Sequence, residues 1–129
     1  GIEKKYRDDE GTLAPEYGSN EGGFIIRLNK IISDDLSSPD LDQVLLCREM
    51  GLSRASLFNK MKSITGAGAK EYITRIRIEK AKSLMENTDM SIAEIAEKTG
   101  FASQSYFSTA FKTSTGLTPS QYKQQNKKR

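Results

Sequence analysis

A chain of 129 residues with 36% hydrophobic content can bury one modest core, or two very small ones sharing a helix, and is too short for an enzyme with a separate cofactor domain. The formal net charge is only +3, there is no histidine, and the one cysteine, Cys47, excludes an internal disulfide, so catalysis, a metal site and a cofactor are not expected. With no apolar run of membrane-span length, no signal-peptide pattern and a start at Gly1 in place of Met, the chain reads as a cytoplasmic piece of a longer protein, whose parent can still be membrane-anchored.

Residues 1–20, with Gly11, Pro15, Gly18 and five acids against three bases, read as a linker or tail ahead of a folded domain at 21–129. The stretch "FIIRLNKIISDDL" (24–36) has the spacing of an amphipathic helix that would cover the first of two helical units. In that first unit a helix, a tight turn at Gly51 and a second helix are expected over about 41–65. Over 69–87, "AKEYITRIRIEKAKSLMEN" places Tyr72, Ile73, Ile76, Ala81, Leu84 and Met85 on one stripe, which predicts a single long connecting helix. Most of its bases, Arg75, Arg77, Lys80 and Lys82, are expected to pair with Glu71 and Glu79.

A second helix, turn and helix are expected over about 91–114. Ser91 with Glu94 makes a capping box ahead of Ile92, Ile95 and Ala96, and Gly100 suits a left-handed turn. Ser103 can cap the next helix, whose Phe107, Ala110 and Phe111 face inward, and Gly116 closes it. Ala96 and Cys47 stand where two helices crossing steeply over a short turn need a small side chain, which makes Cys47 a packing residue. Thr118, Pro119 and Gln121 begin a final helix running to about 126, and the basic tail "KQQNKKR" is expected to fray and add nonspecific attraction.

The two helix-turn-helix stretches are copies of one unit. At an offset of 49, "DLDQVLLCREMGL" (40–52) lies over "DMSIAEIAEKTGF" (89–101), with Leu46 on Ile95, Cys47 on Ala96 and Gly51 on Gly100. One residue is then inserted, and at an offset of 50 Ser53 falls on Ser103, Leu57 on Phe107, Met61 on Phe111, Lys62 on Lys112, Gly66 on Gly116 and Tyr72 on Tyr122. Charge follows the same repeat: 50–70 holds four bases and 98–129 six, with no carboxylate in either window. Equivalent acid-free windows are what a polyanion-binding surface requires, because a carboxylate near a phosphate costs attraction.

Opposite Phe107 and Phe111, the segment "GFASQSYFSTAFK" (100–112) carries Gln104, Ser105, Ser108 and Thr109 where a solvated helix usually carries Lys and Glu. A helix entering a DNA major groove needs short side chains that donate and accept at base edges, and phosphates exclude carboxylates. The corresponding side chains of the first unit are Arg54, Ala55, Ser56, Asn59 and Lys60. These nine residues are the candidate base contacts, with Ser53, Lys62, Ser103 and Lys112 as candidate phosphate contacts. A helical protein-interaction module would need an exposed apolar groove, and an RNA reader clustered aromatics; the spare aromatics Tyr6, Tyr17 and Tyr106 do not cluster.

From about Phe24 to Tyr122 the chain resembles the DNA-binding domain of the AraC/XylS transcription regulators, through "SRASLFNKMKSITG", "IRIEKAKSLM", "SIAEIAEKTGFASQSYFSTAFK" and "GLTPSQY". The fold expected on both grounds is all-α, about seven helices, with two helix-turn-helix units joined by a long helix. The resemblance implies a bacterial regulator that binds double-stranded promoter DNA with one reading helix per unit in successive major grooves, and that contacts RNA polymerase. It departs from the family at "GAGAKEY" (66–72), where Gly68 and Ala69 replace the usual Ser or Thr and Pro, which predicts a looser start for the connecting helix. The family's sugar-binding or dimerising domain is not in the sequence; the acidic 1–20 segment suits attachment behind a phosphorylated receiver or a hybrid sensor, with the isolated domain monomeric.

Overall fold

A computed structural model describes residues 21–126; the linker expected over 1–20 and the last three residues of the basic tail lie outside them. Seven helices succeed one another among the described residues: α1 (Glu21–Asp34), α2 (Gln43–Met50), α3 (Arg54–Thr65), α4 (Ala69–Asn87), α5 (Ile92–Lys98), α6 (Gln104–Thr115) and α7 (Pro119–Asn126). They divide into two compact units. The first holds residues 21–35 and 40–72; the second holds 73–126 together with the short segment 36–39.

The first unit closes around α1, whose Phe24, Leu28, Ile31 and Ile32 recur at i, i+4, i+7 and i+8 and are all buried. Leu46 and Met50 of α2 and Leu57 and Met61 of α3 fill the same core. The Tyr72 hydroxyl donates to Asn29 Oδ1 at 2.7 Å and ties the start of α4 to α1. α4 begins at Ala69 as its spacing predicts. The Gly68 carbonyl accepts the Tyr72 amide at 2.9 Å, so the backbone turn closes there without the Ser or Thr hydroxyl of the family pattern.

In the second unit Ile78, Ala81 and Met85 of α4 pack with Ile95, Ala96, Phe101, Phe107 and Phe111. Its centre is a chain of aromatic rings: Phe101 to Phe107 at 5.0 Å, Phe107 to Phe111 at 5.7 Å and Phe111 to Tyr122 at 5.4 Å between centroids. Edge contacts of this kind add about 0.5–1.5 kcal/mol each to the stabilisation from burial.

The internal repeat holds at the level of single hydrogen bonds. Gly51 and Gly100 both turn left-handed, at φ 68° and 83°. Their amides return to the carbonyls of Arg48 and Glu97, and the next amides, of Leu52 and Phe101, to those of Cys47 and Ala96. Ser53 Oγ accepts the Ser56 amide, and Ser103 Oγ the Tyr106 amide. Thr65 and Thr115 each bond a carbonyl four residues back and bracket the next turn at Ala67 and Leu117. The extra residue in the second copy falls in the turn between α5 and α6, as the sequence offset requires.

Three sequence expectations are corrected. The first helix spans Glu21–Asp34 and not 24–36, because the chain leaves the helix before Leu36, whose carbonyl is taken by Arg77. Arg77 donates to backbone carbonyls in place of the expected acids, while Lys82 makes the expected contact, to Glu79 at 3.0 Å. Ile78 is buried to 2% exposure while Ile76 is half-buried, so the inward stripe of α4 passes through Ile78.

Candidate nucleic-acid interface

Each unit presents its second helix with a core face and an outer face set by the 100° step per residue. On α3, Leu57 and Met61 point inward, and Ala55, Asn59, Lys62 and Ser63 lie roughly opposite, all exposed. On α6, Phe107 and Phe111 point inward, and Ser105, Thr109, Lys112 and Thr113 occupy the matching outer positions, again exposed. Arg54 and Gln104, also exposed, open the two helices. Ser63 and Thr113, four residues after Asn59 and Thr109, share these outer faces with the candidates named from the sequence.

The cap residues serve two ends. Ser53 and Ser103 accept backbone amides at 3.1 and 3.0 Å through their hydroxyl oxygens, which leaves the hydroxyl protons free to donate outward. Neither helix has an acid in its first turn, and each carries a lysine in its last, Lys62 or Lys112.

Not every candidate is equally presented. Ser56 and Ser108 are half-buried on the flanks. Lys60 is half-buried as well, with its ammonium 5.7 Å from the Phe24 ring centroid, so it leans onto α1 as a cation over an aromatic face. Phe58, which no sequence pattern singles out, is 47% exposed on the flank of α3, with Lys62 Nζ 5.9 Å from its ring. Tyr106, 44% exposed, packs edge-on against Phe101 at 5.7 Å. Cys47 is half-buried in α2; burial pushes its thiol above the usual 9.0, and nearby Arg54 partly opposes this.

The chemistry of both outer faces is the same: hydroxyl, amide and methyl groups close to the backbone, a cation at the C-terminal end, and no carboxylate among the residues of either helix. Among the described residues no group of three or more His, Cys, Asp or Glu side chains is placed to hold a metal ion, and no helix is long and apolar enough to cross a membrane.

Comparison with known proteins agrees with this architecture. A family model described as a helix-turn-helix domain matches residues 46–125. Histidine kinase P4 of Formosa agariphila is 38% identical over 93 residues, covering 72% of this chain and 7% of that protein. The transcriptional regulatory protein YesN of Bacillus subtilis, described as uncharacterized, is 34% identical over 121 residues, covering 92% of this chain and 32% of that protein. The chain thus spans less than a third of either relative. Among solved structures, the C-terminal domain of AraT, a response regulator from Geobacillus stearothermophilus, superposes with a TM-score of 0.75 at 34% identity, covering 83% of this chain and 88% of that one. Two equivalent helix-turn-helix units, the match over 46–125 and these relatives together show that the chain belongs to the AraC-type family of helix-turn-helix DNA-binding domains of transcriptional regulators.

Proposed function

We propose that this domain reads two short base clusters of a promoter, with α3 in one major groove and α6 in the next. The observation that carries the reading is the pair of equivalent, exposed, acid-free outer faces on α3 and α6. In this reading Arg54, Ala55, Asn59, Gln104, Ser105 and Thr109 meet base edges, and Ser56 and Ser108 assist from the flanks. Ser53, Lys62, Ser103 and Lys112 hold phosphates. Lys60, drawn toward Phe24, reaches a phosphate more readily than a base, and Phe58 offers an apolar surface suited to a thymine methyl.

The linking element favours this spacing. The 19 residues of α4 extend about 28 Å at ~1.5 Å per residue, close to the ~34 Å between successive major grooves on one side of the duplex. The match to the C-terminal domain of AraT, a response regulator, supports a parent in which a receiver or sensor precedes this domain; in this reading the DNA-bound regulator acts on RNA polymerase. The isolated domain is then a non-enzymatic, monomeric output module working in the cytoplasm.

A comparison of two alanine variants on selected and scrambled duplexes tests the assignment. Gln104→Ala is expected to cost about 1–3 kcal/mol on the selected site and little on scrambled DNA. Lys112→Ala is expected to weaken both alike and to lower the salt slope by about one. Equal losses for both variants on scrambled DNA would remove Gln104 from the base readers.

A further inference from the structure

In the second unit a side chain of α4 is tied to a backbone segment far from it in sequence. Arg77, half-buried on α4, donates from Nε and Nη2 to the Leu36 carbonyl, each at 3.2 Å, and from Nη2 to the Ser38 carbonyl at 3.1 Å. These are backbone acceptors 41 and 39 residues away in sequence. The planar guanidinium suits this forked task, and an ammonium does not reproduce it. Beneath the fork lies Gly100: a Cβ there would overlap the Leu36 carbonyl oxygen and press on Arg77 Nη2 and Nε at 2.8 and 2.9 Å. At Gly51, the equivalent turn of the first unit, a Cβ would meet nothing within 4 Å.

The strapped turn leads directly into the reading helix. Phe101, the residue after Gly100, is buried and carries the Tyr106 ring against its own. Tyr106 is the third residue of α6, two positions after Gln104. Segment 36–39, Arg77, the Gly100 turn and the first turn of α6 thus form one continuous run of contacts. Directional hydrogen bonds to base edges tolerate displacements of about 0.5 Å. The angle of α6 is therefore sensitive to whatever braces its start.

We propose that Arg77 is a positioning residue for base recognition: by strapping the 36–39 backbone over Gly100 it sets the angle at which α6 presents Gln104 and Ser105, without touching DNA itself. This rests on the reading of α6 as a groove-entering helix. It separates Arg77 from the other α4 bases, since its Nε and Nη2 donors are directed to backbone carbonyls.

The test uses the full 129-residue chain and duplexes selected for binding from a random pool, with each base cluster scrambled in turn. Arg77→Met keeps the apolar stem and removes the fork. It is expected to lower discrimination at the α6 cluster by about tenfold, the scale of one misplaced base contact, with discrimination at the α3 cluster and helical circular dichroism retained. Arg77→Lys, which can hold one carbonyl, should lose about threefold at the α6 cluster alone. If the Met variant does not fold, the Lys variant decides by the same criterion. Unchanged discrimination at the α6 cluster, or equal loss at both clusters, overturns the proposal. Absence of any discrimination at the α6 cluster in the wild-type chain overturns the reading of α6 itself, a result distinct from either.

Discussion

Single residues in this domain carry tasks that their neighbours in the repeat do not share. Tyr122 and Tyr72 are equivalent, yet Tyr72 donates to a neutral amide and Tyr122 to the Glu86 carboxylate. Burial first, then the hydrogen bond and charge of Glu86, raise the Tyr122 phenol from 10.0 to about 12. A folded-state value above the unfolded one means that the contribution is complete below pH 10 and is lost as pH rises from about 10 toward about 12. Alkaline unfolding curves should show this loss for the wild type and a shallower one for Tyr122→Phe; identical slopes would argue against it. Glycine behaves the same way. Gly51→Ala should cost about 1–2 kcal/mol, the strain of a side chain in the left-handed region. Gly100→Ala should cost clearly more, because the added methyl also displaces the Leu36 carbonyl. Urea midpoints of the two variants compare them directly, and equal costs would mean that the 36–39 segment yields freely.

At the scale of elements, each reading helix is held by its cap and by two large inward side chains one turn apart. α6 depends on aromatic rings, Phe107 and Phe111, where α3 uses Leu57 and Met61. Phe107 touches both Phe101 and Phe111 and is fully buried, so Phe107→Ala should cost about 3–5 kcal/mol and loosen the whole second unit. Thermal denaturation measures the loss, and a cost under about 1 kcal/mol would mean that the ring chain repacks. The outer face of the same helix contributes little to stability, since its short polar side chains touch water. That division lets the outer face vary for recognition while the inner face keeps the helix.

The whole molecule depends on α4, one helix that belongs to both units, from Ala69–Tyr72 in the first to the remainder in the second. If it stays helical on DNA, the two base clusters must lie about one turn apart. Inserting about 5 base pairs between them puts the second cluster on the far face of the duplex and should reduce binding to that of a single cluster. Footprinting checks this: full affinity with both clusters protected would show that α4 bends or unfolds when bound.

Much of this organisation is legible in the sequence because its causes are local. Capping by Ser91 and Glu94, left-handed turns at Gly51 and Gly100, the bounds of the helix at 69–87 and the inward Phe107 and Phe111 all derive from residue type and spacing within a few positions. The repeat strengthened the turns and the inward pair by stating them twice. Repetition also exposed the paired acid-free faces, which neither helix alone would have distinguished from a solvated surface. Other features needed the folded chain, because they depend on groups far apart along it. The periodicity of α4 does not tell Ile76 from Ile78, because the choice turns on where α5 and α6 press against it. Lys60 leans on Phe24, 36 positions earlier, for the same reason. Arg77 looked like one more surface base until its partners proved to be backbone carbonyls, which every residue possesses and no sequence pattern marks.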